Sequence, residues 1–139
     1  MAQYLKYLLM NFNNTKPIYE QMGDRLCDEI ISGKYKIDDR VPSVRDYAIL
    51  LGVNTNTAFK SYEMLSREGI IYNKRGIGYY VANEAIEKIS SKRKNEIIKV
   101  LLPELFRKMK LLKIDISEVV KYWKVFDRTN KDSLTDNKE

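Results

Sequence analysis

The sequence predicts a mainly α-helical chain with one small β-hairpin, in which an N-terminal domain is followed by a short helical region. Three observations carry this. Apolar residues recur at helical spacing in three consecutive stretches between Ile18 and Leu65. After Gly69 the period changes, and two strand-like runs flank a turn that contains glycine. From Asn83 onward the helical period returns with heavy charge, and its apolar residues form a heptad-like seam. The expected divisions are an N-terminal extension at 1–15, a first domain at 16–82, a helical region at 83–127 and a disordered tail at 128–139.

Pro17 stands where a helix often begins. Ile18, Met22, Leu26 and Ile30 follow at four-residue spacing, widened by Tyr19, Cys27 and Ile31, and Ser32-Gly33 ends this first helix. Lys34 to Val41 reads as a loop. Ser43 then caps a second helix, with Asp46 three residues on in the capping-box position. Val44, Tyr47, Ala48 and Leu51 form the buried face, and Gly52 ends it. Asn54 is a good cap for a third helix. Its expected inward face is Ala58, Phe59, Tyr62 and Leu65, and Gly69 stops it.

Ile70-Ile71-Tyr72 and Tyr79-Tyr80-Val81 read as paired strands around the basic turn Lys74-Arg75-Gly76-Ile77-Gly78. Two short helices joined around a glycine are a helix-turn-helix, and a hairpin directly after the second of them is a wing. The fold class is therefore an N-terminal winged helix-turn-helix plus a short C-terminal helical region.

In that last region Ile98, Leu102, Leu105, Met109 and Leu112 alternate at spacings of four and three. Pro103 lies inside the seam and should kink or divide the helix. Asp115 with Glu118 opens a final helix whose expected inward face is Ile116, Val119, Val120, Trp123 and Phe126. One account of the seam is an ordinary core. The other is a dimer interface through Ile98, Leu102, Leu105, Met109, Leu112 and Trp123, because so few helices rarely bury their own apolar face. Lys88, Lys92, Arg93 and Lys94 read as a solvated face, with phosphate or membrane contact as a weaker second reading.

Composition narrows the function. A net charge of +6 favours polyanionic partners. The chain has no histidine, which removes the commonest general base and metal ligand. Its one cysteine, Cys27, permits no internal disulfide and fits a reducing cytoplasm. Cys27 also falls on the buried stripe of the first helix, so it reads as core. The apolar start, Met1 to Met10, has neither the length of a membrane span nor a signal-peptide cleavage site, and Met10 is itself a plausible start. No nucleophile–base pair, metal-ligand cluster or phosphate-cradling loop stands out. Gly76 and Gly78 are too closely spaced for a dinucleotide fingerprint. The expectation is no enzyme, no cofactor and no membrane partner.

The leading end of the third helix presents Asn54, Thr55, Asn56, Thr57 and Lys60. In a helix-turn-helix that end enters the DNA major groove, where amides and hydroxyls bond base edges or phosphates. Asn54 is equally well explained as a cap. Arg45 sits in the first turn of the second helix, where the helix dipole disfavours positive charge, and a locally disfavoured residue is a functional candidate. The alternative is a surface arginine paired with Asp46 or Glu68. Lys74, Arg75 and Gly76 form a basic tip that fits a narrow groove, or an ordinary solvated turn.

The segments Val41 to Ala48, Leu51 to Ala58 and Glu68 to Ile71, with Arg75 to Val81, resemble in order and spacing the DNA-binding domain of the GntR family over about residues 16–82. Asn54-Thr55-Asn56-Thr57 followed by Lys60-Ser61-Tyr62, with the short C-terminal part, resembles its YtrA-type branch. That branch usually carries proline where this chain has Thr55. Other branches carry arginine where this chain has Phe59, so their base contact does not transfer here. The resemblance implies a transcription regulator, most simply a repressor, that binds a double-stranded operator as a homodimer. It implies DNA contacts by Ser43, Arg45, Asn54, Thr55, Asn56, Thr57, Lys60, Lys74, Arg75 and Gly76. The stretch after the wing is short for a typical enclosed effector site, so a small-molecule effector is either absent or not named by the sequence.

Overall fold

The computed structural model describes residues 16–135. It comprises α1 (Ile18–Ile31), α2 (Val44–Leu51), α3 (Thr55–Arg67), β1 (Ile71–Lys74), β2 (Gly78–Val81), α4 (Ala85–Glu96), a π-helical turn (Ile97–Leu101), α5 (Leu102–Leu112) and α6 (Ile116–Thr135). Two compact units result, one running to Lys92 and the other beginning at Arg93. The N-terminal extension at 1–15 and the last residues of the expected tail lie outside the described residues.

In the first unit, α1 and α3 pack on each other and α2 packs on α3. Gly23 lies where α1 meets α3, and an added Cβ there would come within 2.7 Å of the Met64 terminal methyl, which would have to move aside. Leu26, Ile30, Tyr47, Ala58, Tyr62 and Leu65 are buried together, with Ile70, Ile71 and Val81 from the hairpin. Each leucine, isoleucine or valine among them contributes about 1.5–3 kcal/mol on leaving water. Cys27 lies in this core. Two tyrosines tie the helices polar end to polar end. The Tyr47 hydroxyl donates to Glu29 Oε1 at 2.9 Å, and the Tyr62 hydroxyl donates to the Pro42 carbonyl at 2.6 Å. Burial, then the bond to Glu29, holds the Tyr47 phenol far above its ordinary pKa, and burial does the same for Tyr62.

The unit closes later than the sequence suggests. The boundary falls inside α4 rather than at Asn83, because Ala85 and Ile89 belong to the first core. Lys92 Nζ completes that attachment by donating to both Glu68 oxygens, at 3.0 and 2.9 Å. The Lys34–Val41 segment is a loop, as expected, and it is tied to the hairpin. Asp38 N–H donates to the Val81 carbonyl, Val81 N–H to Asp39 and Val41 N–H to Tyr79, so the segment runs as a third partner along β2. Phe59 is half-exposed and not inward. Residues 58, 62 and 65 share one stripe, and a single step from 58 to 59 turns the side chain by about 100° off it.

In the second unit the helix is divided next to Pro103, as expected, by a π-helical turn. Pro103 occupies the first turn of α5, directly after the π-helical turn. Proline has no N–H for the carbonyl four residues back and clashes with it, and the wider π turn absorbs both demands. Lys113 ends α5 in the left-handed conformation. Asp115 then leads into α6, its carboxyl held below the usual range by the Ser117 hydroxyl and by backbone N–H groups of Ile116 and Ser117. Two expectations are corrected here. Arg128 to Thr135 is helical, as a continuation of α6, rather than aperiodic tail. Ile116, Val120, Trp123 and Phe126 are exposed within the single chain, and of the seam residues Met109 alone is buried. Ile98, Leu105 and Leu112 are exposed and Leu102 is half-buried. The second unit has too few helices to cover its own apolar faces.

Candidate nucleic-acid interface

The turn between α2 and α3 sets the angle at which α3 leads. Gly52 adopts φ +66°, a left-handed conformation that glycine reaches without a Cβ penalty, and its N–H with that of Val53 closes the end of α2 on Ala48 and Ile49. Asn54 follows at once and accepts from Asn56 N–H at 2.8 Å through its side-chain oxygen. That oxygen is a cap, while the amide NH2 of Asn54 is not used by it. Ser43 is likewise a cap, its Oγ accepting from Asp46 N–H at 3.0 Å. These caps define sharp N-terminal ends on α2 and α3, where the helix dipole and unpaired N–H groups favour anions.

The side chains at these ends divide into free and engaged. Thr55 and Asn56 are exposed in the first turn of α3, and Thr57 is half-buried. Lys60 is exposed, with its ammonium 4.3 Å from the centroid of the Tyr19 ring. Arg45 is exposed on the first turn of α2. Neither suggested ion-pair partner holds it, since Glu68 is bound by Lys92 and no Arg45 ion pair occurs among the described residues.

The wing pairs Ile71 with Val81, Tyr72 with Tyr80, Asn73 with Tyr79 and Lys74 with Gly78. Its turn closes with Ile77 N–H on the Lys74 carbonyl at 2.9 Å, which places Gly76, φ +79°, at the position that requires a positive φ. No atom lies within 4 Å of where a Gly76 side chain would start, so the tip is open. Lys74 Nζ rests 4.4 Å from the Tyr80 ring centroid, over a Tyr72–Tyr80 stack. Arg75 is exposed at the tip.

Three residues at this surface escaped the sequence reading. Arg40 Nη2 donates to the Ile77 carbonyl at 2.7 Å, bracing the wing turn from the segment that pairs with β2. Gly78 gives it room, because a Cβ there would lie 2.9 Å from Arg40 Nε. No local signal marks Arg40, since the pairing spans distant positions. Tyr19 supports Lys60 across α1 and α3, and Phe59 stands outward beside it. Phe59 could have been found by testing the α3 stripe residue by residue.

Among the described residues no His, Cys, Asp and Glu group could hold a metal ion, and no helix is long and apolar enough to cross a membrane.

Residues 18–81 match the family described as bacterial regulatory proteins, gntR family. The chain is 31% identical over 115 residues to the HTH-type transcriptional regulator YhcF of Bacillus subtilis, covering 83% of this chain and 93% of that protein. It is 40% identical over 72 residues to the HTH-type transcriptional repressor YtrA of the same organism, which covers 52% of this chain and 55% of YtrA. A crystal structure of a GntR-family transcriptional regulator from Bacteroides thetaiotaomicron is similar at 43% identity, with a TM-score of 0.71 over 81% of this chain and 99% of that one.

Proposed function

The chain belongs to the GntR family of bacterial regulatory proteins, in its YtrA-like branch, and from that premise we propose that it represses transcription as a homodimer seated on a two-fold symmetric operator. It is a DNA-binding transcription regulator and not an enzyme. The observation that carries the finer reading is that each chain has one recognition end, at Asn54 to Lys60, together with apolar helices after Arg93 that it leaves uncovered. One winged unit reads a short site and discriminates weakly. Two copies joined by those helices would read inverted half-sites about 34 Å apart, one turn of DNA.

In this reading Thr55, Asn56 and Thr57 contact base edges or phosphates from the major groove, joined by Arg45 and Lys60. Ser43 and Asn54 serve chiefly by capping the helix ends that approach phosphate. Lys74, Arg75 and Gly76 lie along the adjacent backbone or minor groove. Ile98, Leu102, Leu105, Met109, Leu112 and Trp123 belong to the dimer region. The regulator works in the cytoplasm. YtrA, its relative by sequence, carries the name of a repressor, which supports that direction of control.

The test is footprinting on the promoter of its own operon, with transcription from that promoter measured in the presence and absence of the protein. The expected result is a protected inverted repeat and lower transcription. Protection without symmetry would remove the dimer, and raised transcription would remove the repressor.

A further inference from the structure

We propose that Phe59 is a specificity-determining residue, reading a thymine methyl group in each operator half-site. This rests on the duplex-binding reading above and adds a base to it. The side chain is 47% exposed and takes no part in the core. Its place on α3 says what it meets. Asn56 lies one turn before it and Glu63 one turn after, and all three are exposed on one face of the helix.

That face also carries Lys60 and, one turn past Glu63, the exposed Arg67, so its distinguishing features are the amide, aromatic ring and carboxylate set among these cations. Phosphate alone would attract the cations but repel the carboxylate of Glu63 and gain nothing from the ring. An amide, an aromatic ring and a carboxylate instead match what base edges present: hydrogen-bonding atoms of adenine, the methyl of thymine and the amino group of cytosine. The neighbouring cation does not crowd the ring, since Lys60 is held over Tyr19 at 4.3 Å. A large apolar ring kept in water in the unbound protein gains by covering a methyl group, the one apolar feature of the major groove.

The experiment uses the full-length chain and duplexes that it enriches from a random-sequence library. Each thymine of the enriched half-site is replaced singly by deoxyuridine, which removes the methyl and leaves every hydrogen-bonding atom. One thymine per half-site should be sensitive, with affinity falling about fourfold, the worth of one methyl group taken out of water. Phe59→Ala should bind the thymine and uracil duplexes equally, and Phe59→Leu should keep part of the difference. Circular dichroism and thermal unfolding of both variants should match wild type, because the ring is outside the core. If enriched duplexes show no methyl-sensitive thymine, or if Phe59→Ala keeps the full sensitivity, the assignment to Phe59 is wrong while duplex binding stands. If no duplex is enriched at all, the duplex-binding reading fails and Phe59 falls with it.

Discussion

Leu65 in α3 and Leu105 in α5 both sit on apolar stripes of amphipathic helices, yet Leu65 is 0% exposed and Leu105 is 44% exposed. The difference runs through the whole chain. Before Lys92, apolar residues from three helices, a hairpin and the start of α4 converge on one core. After Arg93, Ile97, Leu101, Phe106, Leu111, Trp123 and Phe126 face outward. A winged unit has enough layers to enclose its stripe, and a pair of helices does not. An exposed patch of this kind marks an interaction surface. The first unit thus encloses its own core, and the second leaves its apolar faces uncovered within the single chain.

The most direct way to break this contrast is to make the same change on both sides. Leu65→Ala should cost the winged unit about 2–5 kcal/mol by leaving a cavity. In chains kept monomeric by dilution, Leu105→Ala should cost roughly 0.5 kcal/mol or less, as for an exposed position. Chemical denaturation followed by circular dichroism would measure both, and equal losses would show that Leu105 is core. The winged unit has a further signature at high pH. Burial and the bond to Glu29 raise the Tyr47 pKa, so the folded state keeps a proton that the unfolded state loses. The associated stability is intact below about pH 10 and is lost as pH rises above it. Tyr47→Phe should flatten this alkaline loss, and an unchanged pH profile would remove Tyr47 as its source.

Next in size is the partner itself. Wild type should sediment as a dimer at micromolar concentration, and Leu105→Glu with Trp123→Glu should sediment as a monomer. Both residues are exposed in the single chain, so the winged unit should keep its thermal transition. Operator affinity should fall by about 100-fold, the order expected when a second contact loses its tether. A wild-type chain that stays monomeric on and off DNA would end the dimer reading.

The same contrast explains what was legible in the sequence. The three helices, the hairpin and the caps at Ser43 and Asn54 announce themselves through period and local chemistry, and the structure has them in place. Phe59 leaves the α3 stripe because each residue turns the helix by about 100°, so the neighbour of Ala58 does not share its face. Arg40 and the β2-paired strip at 38–41 were missed because their bonds join positions far apart in the chain. The unit boundary was set early at Asn83 because charge hides the two buried positions Ala85 and Ile89. On α6 the period marks an apolar stripe, but Ile116, Val120, Trp123 and Phe126 are exposed in the single chain. Periodicity tells that a stripe must be covered, and says nothing of which chain covers it.

A smaller effect probes reading within the winged unit. Arg45→Ala should weaken operator binding by about 1–3 kcal/mol if the guanidinium makes a paired base contact. Since Arg45 has no ion pair among the described residues, its loss should leave thermal stability unchanged. Titration of wild type and variant on one duplex measures this, and equal affinities would return Arg45 to the solvated surface.

The smallest change expected is in salt dependence, and it sharpens the comparison most finely because it counts wings. Arg75 is exposed at the open tip, and Lys74 is shelved on Tyr80, within reach of the same side of the hairpin. In the proposed reading both act mainly as charges on phosphate. Each phosphate neutralised releases counterions and adds about 0.9 to the slope of log affinity against log salt. Lys74→Ala with Arg75→Ala should therefore lower the slope by roughly 1–2 for every wing that touches DNA. On the background of Leu105→Glu and Trp123→Glu one wing is present, and the change should be about 1–2. On the wild-type background two copies sit on the operator, and the change should double, to about 2–4. Binding isotherms over a tenfold range of salt give both slopes. An unchanged slope in both backgrounds would show that the wing does not touch DNA. An equal change in both would show that only one copy binds at a time, which would remove the second unit's role as a tether even if the chain dimerises in free solution.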